Sequence, residues 1–108
     1  MYVRSDTQHL FTSGGEWIAF RRGKHLFTPN GDWIGWLPWG DNDVVDTNGN
    51  YLGTIVKNRL LRFWNRPYRG YPGYPGYPGY PGYPGYPGYP GYYALPLGAT
   101  DVDLMEKS

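Results

Sequence analysis

The sequence predicts an all-β protein assembled from repeated hairpins, and three observations carry that reading. A pattern of twelve residues recurs as "HLFTSGGEWIAF" from His9, "HLFTPNGDWIGW" from His25 and "DVVDTNGNYLGT" from Asp43. Its spacing of about 16 to 18 residues is too short for a helical repeat and suits one hairpin per unit. Each copy also holds a dipeptide that supplies positive φ at little cost, namely Gly14-Gly15, Asn30-Gly31 and Asn48-Gly49.

Within a unit, two apolar residues lead to Thr or Asp, then a turn ending in Gly, an acidic or amide residue, an aromatic, an aliphatic and a small residue. Trp17, Trp33 and Tyr51 are equivalent, as are Ile18, Ile34 and Leu52, and then Ala19, Gly35 and Gly53. Consecutive strand side chains point to opposite faces, so both faces are apolar at the strand centre. That suits a sheet buried on both sides or closed on itself. The small residue allows close approach to the backbone. The deepest packing is expected at Trp17, Ile18, Trp33, Ile34, Tyr51, Leu52 and Tyr93. Pro29 favours a three-residue loop with a bulge, Pro29-Asn30-Gly31, over a two-residue turn in the second hairpin.

A fourth unit begins at "NRLLRF", with Leu60 and Leu61 standing where Val44 and Val45 stand. Its second half is expected at "GYYAL", with Gly91 at the turn and Tyr93 in the place of Trp17. Between them lies the tract of Gly-Tyr-Pro units. The chain therefore reads as one domain over 1–108, with an insertion over 63–90 at the tip of the fourth hairpin. Loop tips tolerate insertions, and lengthening a loop costs only about 0.6 kcal/mol per doubling. Pro fixes every third φ and removes its N–H, and the preceding Tyr is pushed to extended geometry. A polyproline-II-like or disordered arm is expected, displaying Tyr71, Tyr74, Tyr77, Tyr80, Tyr83, Tyr86 and Tyr89.

"GEWIAF", "GDWIGW", "GNYLGT" and "GYYAL" together resemble the bacterial 4-fold β-flower domain, over about residues 1–62 and 91–104. The resemblance implies a small pseudo-fourfold closed β-barrel whose hairpins splay like petals around a packed channel. It carries no catalytic residues over to this chain. The architecture is distantly similar to tubby-like barrels, some of which bind lipids.

Composition narrows the functional classes. The formal net charge of +1 leaves no electrostatic footprint for nucleic acid. With no cysteine there is no disulfide framework and no thiolate metal site. No signal pattern and no apolar run of about 20 residues is present, so a cytoplasmic protein without a transmembrane segment is expected. His9, His25, Asp43 and Arg59 open equivalent positions; that set is no cation cage, and a solvated rim is expected. Asp41, Asp43 and Asp46 lack the remainder of a calcium loop and read as a polar turn. Arg62, Arg66 and Arg69, with Phe63, Trp64 and Tyr68, read as solvated turn residues. Trp33, Trp36 and Trp39 crowd one stretch, as barrel core and end caps or as a stacking platform. No catalytic residue, metal or cofactor is assigned.

The expected function is a non-enzymatic structural or interaction module that displays the Tyr/Pro/Gly-rich arm for self-association or for a protein partner. The alternative is a small apolar-ligand or lipid binder, with peripheral lipid contact, using a central channel lined by Trp17, Ala19, Trp33, Gly35, Tyr51, Gly53 and Tyr93.

Overall fold

A computed structural model describes residues 7–102 and 104; the remaining residues of the expected 1–108 domain lie outside the described ones. Its strands are β1 (Thr7–Phe11), β2 (Trp17–Arg22), β3 (His25–Phe27), β4 (Trp33–Trp36), β5 (Asp43–Asp46), β6 (Tyr51–Val56), β7 (Arg59–Phe63) and β8 (Ala99–Asp101). They form one sheet in chain order, each strand antiparallel to the next, and β1 also pairs with β7. The result is a closed barrel of seven strands with β8 added outside β7. Closure is parallel and short, one residue pair at Phe11 and Arg59. Around it the Phe11 N–H donates to the Asn58 carbonyl at 2.9 Å and Gln8 Nε2 donates to the Lys57 carbonyl at 2.8 Å.

The first three hairpins turn alike. Thr12, Thr28 and Asp46 each donate their N–H to the carbonyl four residues on, and each accepts from the glycine three residues on, at 2.7–3.0 Å. The loops are thus the three-residue, glycine-ended kind expected for Pro29-Asn30-Gly31. The leading side chain caps the turn in every case: Thr12 Oγ1, Thr28 Oγ1 and Asp46 Oδ1 accept the N–H of Glu16, Asp32 and Asn50. Each pair then carries a bulge, at Leu10/Phe11, Leu26/Phe27 and Val44/Val45. Bulges bend and twist their strands, which is what closing so small a barrel requires.

The centre is filled. Leu10, Ala19, Leu26, Leu37, Val44, Leu52, Ile55, Leu60 and Val102 form one buried cluster, with Ile18, Ile34 and Leu104 packed against it. This corrects the channel reading. Of its residues, Ala19, Gly35 and Gly53 are buried, while Trp17, Trp33, Tyr51 and Tyr93 are only half-buried and none belongs to the central cluster. The physical reason is the extra residue after each aromatic, at Ile18, Ile34 and Leu52: it breaks the alternation, so the ring and the small residue two places on fall on opposite faces, the ring outward and the small residue inward. A Cβ on Gly35 would overlap the Val45 carbonyl, and one on Gly53 would lie 2.8 Å from both the Leu61 carbonyl oxygen and Val102 Cγ2.

The fourth hairpin departs from the expectation. β7 pairs with Ala99–Asp101, not with Tyr93 and Ala94, through Leu61↔Asp101, Arg62↔Thr100 and Phe63↔Ala99. The Trp64 N–H donates to the Gly98 carbonyl at 3.0 Å. The inserted loop therefore runs from 65 to 97 rather than 63 to 90, the turn glycine of the returning strand is Gly98 (φ 84°), and Gly91 ends no hairpin. Asp101 takes the place opposite Leu61 that Trp17 takes opposite Phe11. An aspartate in an aromatic position hid this strand, and "GYYAL" supplied a false match.

Gly53→Ala is expected to lower stability by about 1–3 kcal/mol through overpacking against backbone that cannot move aside, which thermal unfolding followed by circular dichroism will read as a fall in Tm.

Candidate functional site: the arm seated on the outer face

The conformation of the tract follows from its three residue types. Pro sets φ near −65°. Every glycine from Gly70 to Gly91 has φ between 81° and 94°, a region open only to residues without a Cβ. A polyproline II chain needs φ near −75° throughout, so the arm is not that helix. Glycine reverses the local direction at each third residue; the tyrosines stay largely exposed, while the glycines and, except for Pro78, the prolines of the tract are half-buried.

The arm is not free of the domain. It passes the petals in reverse order and makes the circuit of the barrel. The Tyr71 ring occupies the space where Gly49 would carry a Cβ, Tyr80 does so at Gly31, and Tyr89 at Gly15. Between these seats, Trp33 meets Tyr74 and Tyr77 at ring distances of 5.7 and 5.9 Å, and Trp17 meets Tyr83 and Tyr86 at 6.0 and 5.9 Å. The steeply inclined rings are the favourable arrangement for aromatic quadrupoles. Both indoles are held by the same contact, Nε1–H to the carbonyl two residues on, 2.8 Å to Ala19 and to Gly35. Backbone carbonyls of the arm accept from the barrel: Gly85 from His9 Nε2 at 3.0 Å, Pro81 from the Arg22 guanidinium, and Gly91 from Arg59 at 2.9 Å.

The root of the arm is held by charge. Arg69 donates to Asp41 at 2.7 Å and to Asp43 at 3.0 Å, with its guanidinium 4.2 Å from the centre of the Trp39 ring. Arg66 lies 3.5 Å from the other Asp43 oxygen. A chain of hydrogen bonds runs inward from there. Thr54 Oγ1 donates to Asp43 at 2.8 Å, so Tyr51, 2.8 Å from Thr54, donates to it, and the Phe63 N–H donates to Tyr51 at 3.1 Å. The hydrogen bond from Arg69 holds the Asp41 carboxyl below its ordinary range, and Asp41 in turn raises Arg69. An open cleft of about 400 Å³ lies beside this root, lined by Trp39, Tyr51, Arg62, Phe63, Arg66 and Tyr68 among others.

Where the arm returns, Arg59 sits at the seam, only 4% exposed. It donates to the Thr12 carbonyl at 2.9 Å as well as to Gly91, and its guanidinium lies 5.4 Å from the Tyr93 ring centre. The Tyr93 N–H donates to the Ser13 carbonyl, while Ser13 donates its N–H and hydroxyl to Asp101 at 2.6 and 2.8 Å. Petal one, petal four and the end of the arm are thereby joined.

Two further expectations are corrected here. His9, His25, Asp43 and Arg59 are no solvated rim: Asp43 and Arg59 are buried, His9 grips the arm, and His25 lies edge-on to Trp33 at 5.8 Å in a crevice shared with Pro78–Pro81. Asp41 lies in an exposed turn and Arg66 and Arg69 are exposed, as expected, and the structure adds the ion pairs that join them to Asp41 and to the buried Asp43. Trp33 and Trp39 lie under Tyr74, Tyr77 and Arg69, and Trp36 is buried under Lys24, so they form no open platform. Among the described residues, no cluster of three His, Asp or Glu side chains is placed to hold a metal ion, and no helix is long and apolar enough to cross a membrane.

Fold and site define a class: closed all-β barrels of repeated hairpins turned by glycine-ended loops. The chain belongs to the 4-fold beta flower protein family, whose model matches residues 1–95. No curated protein and no solved structure matches the chain.

Two outcomes follow. Burial, with the Lys24 cation second, holds the His25 imidazole below its usual range, and its Nδ1 is buried without a hydrogen-bond partner. The folded state thus resists a proton that the unfolded state accepts near pH 6.5. Stability should fall as pH drops from about 6.5 toward the depressed folded value and level off below it. His25→Gln should flatten that slope in Tm measured from about pH 7 to about pH 5. Asp43→Asn should cost about 1–3 kcal/mol, because it strips the charge that Arg66 and Arg69 face, and should shift Trp39 emission to the red as the arm root loosens.

Proposed function

We propose that the protein is a non-enzymatic interaction module whose contact surface is the tyrosine ridge of the arm, and that the ridge associates weakly and repeatedly with second copies of the chain. One observation carries this reading. The tyrosines from Tyr71 to Tyr89 keep between 59% and 74% of their surface exposed, while the glycines and, except for Pro78, the prolines beside them are half-buried. A contiguous exposed aromatic stripe is the feature that marks interaction surfaces on soluble proteins. Tyrosine adds large contact area with few rotatable bonds and a hydroxyl for polar contacts. The non-enzymatic part is supported by how the reactive side chains are engaged: the imidazoles lie against tryptophans, and Asp41 and Asp43 are taken up by arginines. The filled centre leaves the ligand-channel reading without a cavity.

Sedimentation over a concentration series tests the proposal. The wild-type mass should rise with concentration. The double variant Tyr77→Arg, Tyr86→Arg should associate at least about tenfold more weakly, since its guanidinium planes can still stack on Trp33 and Trp17 while repelling another copy. A wild-type chain that stays monomeric throughout overturns the reading.

A further inference from the structure

The contacts between the arm tyrosines and the barrel show a second regularity. Tyr71, Tyr80 and Tyr89 are nine residues apart, and they sit on Gly49, Gly31 and Gly15, the turn glycines of successive petals. The pairs between them straddle Trp33 and then Trp17. Three tripeptides of the arm therefore advance it by one petal. A strap that merely covered the surface would need no common period. All three petals offer a Cβ-less turn covered by a tyrosine ring, and the first two add an indole fixed by its own N–H, where the third has Tyr51. His9 and Arg22 add donors to backbone carbonyls of the arm, as peptide-binding grooves do.

We propose that the outer face of the first three hairpins is a recognition groove for extended Gly-Tyr-Pro chains, reading three tripeptides per petal, with the arm as its ligand in cis. The ligand class is an uncharged polypeptide with tyrosine at every third place and glycine free to take positive φ. This concerns the ring edges that the arm tyrosines turn to the barrel, and stands apart from association through the faces they leave exposed.

Two measurements on the intact chain test it. The indole Nε1–H resonances of Trp17 and Trp33 report the register. Tyr77→Ala should shift the Trp33 signal and leave Trp17 in place, Tyr86→Ala should do the reverse, and Tyr92→Ala should move neither. Any other pattern overturns the register. Recognition is read with a fluorescent peptide of seven Gly-Tyr-Pro units. It should bind the triple variant Tyr71→Ser, Tyr80→Ser, Tyr89→Ser at least tenfold tighter than wild type, because the weakened arm no longer competes. Adding Trp17→Ala and Trp33→Ala should abolish that gain. Equal binding to wild type and triple variant, or binding to neither, overturns the groove. Equal binding to both would still be compatible with ridge association, so the two proposals fail separately.

Discussion

A glycine held near φ +90° at the end of each of the first three hairpin loops is the constraint on which the rest depends. A side chain there would strain the backbone and lose the three-residue loop. Without that loop the adjacent bulge would have no fixed place, and the bulge is what sends Trp17, Trp33 and Tyr51 outward while Leu10, Leu26 and Val44 turn in. The same missing Cβ makes the flat seat on which an arm tyrosine rests. One local requirement of the backbone thus fixes both the filled core and the surface that the arm follows.

Quasi-equivalence governs the rest of the surface. The residue before the apolar pair of each odd strand holds the same place in the repeat, yet His9, His25, Asp43 and Arg59 differ in chemistry. His9 donates to a carbonyl midway along the arm, Asp43 takes the cations at its root, and Arg59 joins its far end to the seam. The polar positions of the repeat differ, each matched to the part of the arm it meets, while the apolar positions are alike because they fill one common core.

The repeat, its glycine-ended turns and the all-β class were legible because they depend on neighbours in sequence. The inward and outward sides of each strand were not, because a bulge reverses the alternation and nothing in "EWIAF" marks it. The last strand was missed because Asp101, bound to Ser13, stands where an aromatic was sought. The arm was legible as an insertion, but its geometry was not, because proline alone suggested a polyproline-II chain and the positive φ taken by each glycine is a choice the sequence leaves open. That it follows the barrel depends on matching two periods, nine residues of arm to one hairpin, and this match appears only when the petals are placed around an axis. The role of Arg66, Arg69, Asp41 and Asp43 rests on the same closure in space, since charges 26 and 28 residues apart meet only once the arm has turned back.

The position of Ala99–Asp101 sets an order of assembly. Seven strands can pair from short-range contacts along the chain, but the eighth reaches its place beside Phe63 only after the intervening loop has travelled round the molecule. Local pairings form quickly and distant ones slowly, so the final strand should arrive last. Its docking places Val102 against Gly53 and brings Asp101 to Ser13. The wrapped loop is thus the tether that delivers the closing piece of the core, and its length sets how often that piece finds its berth.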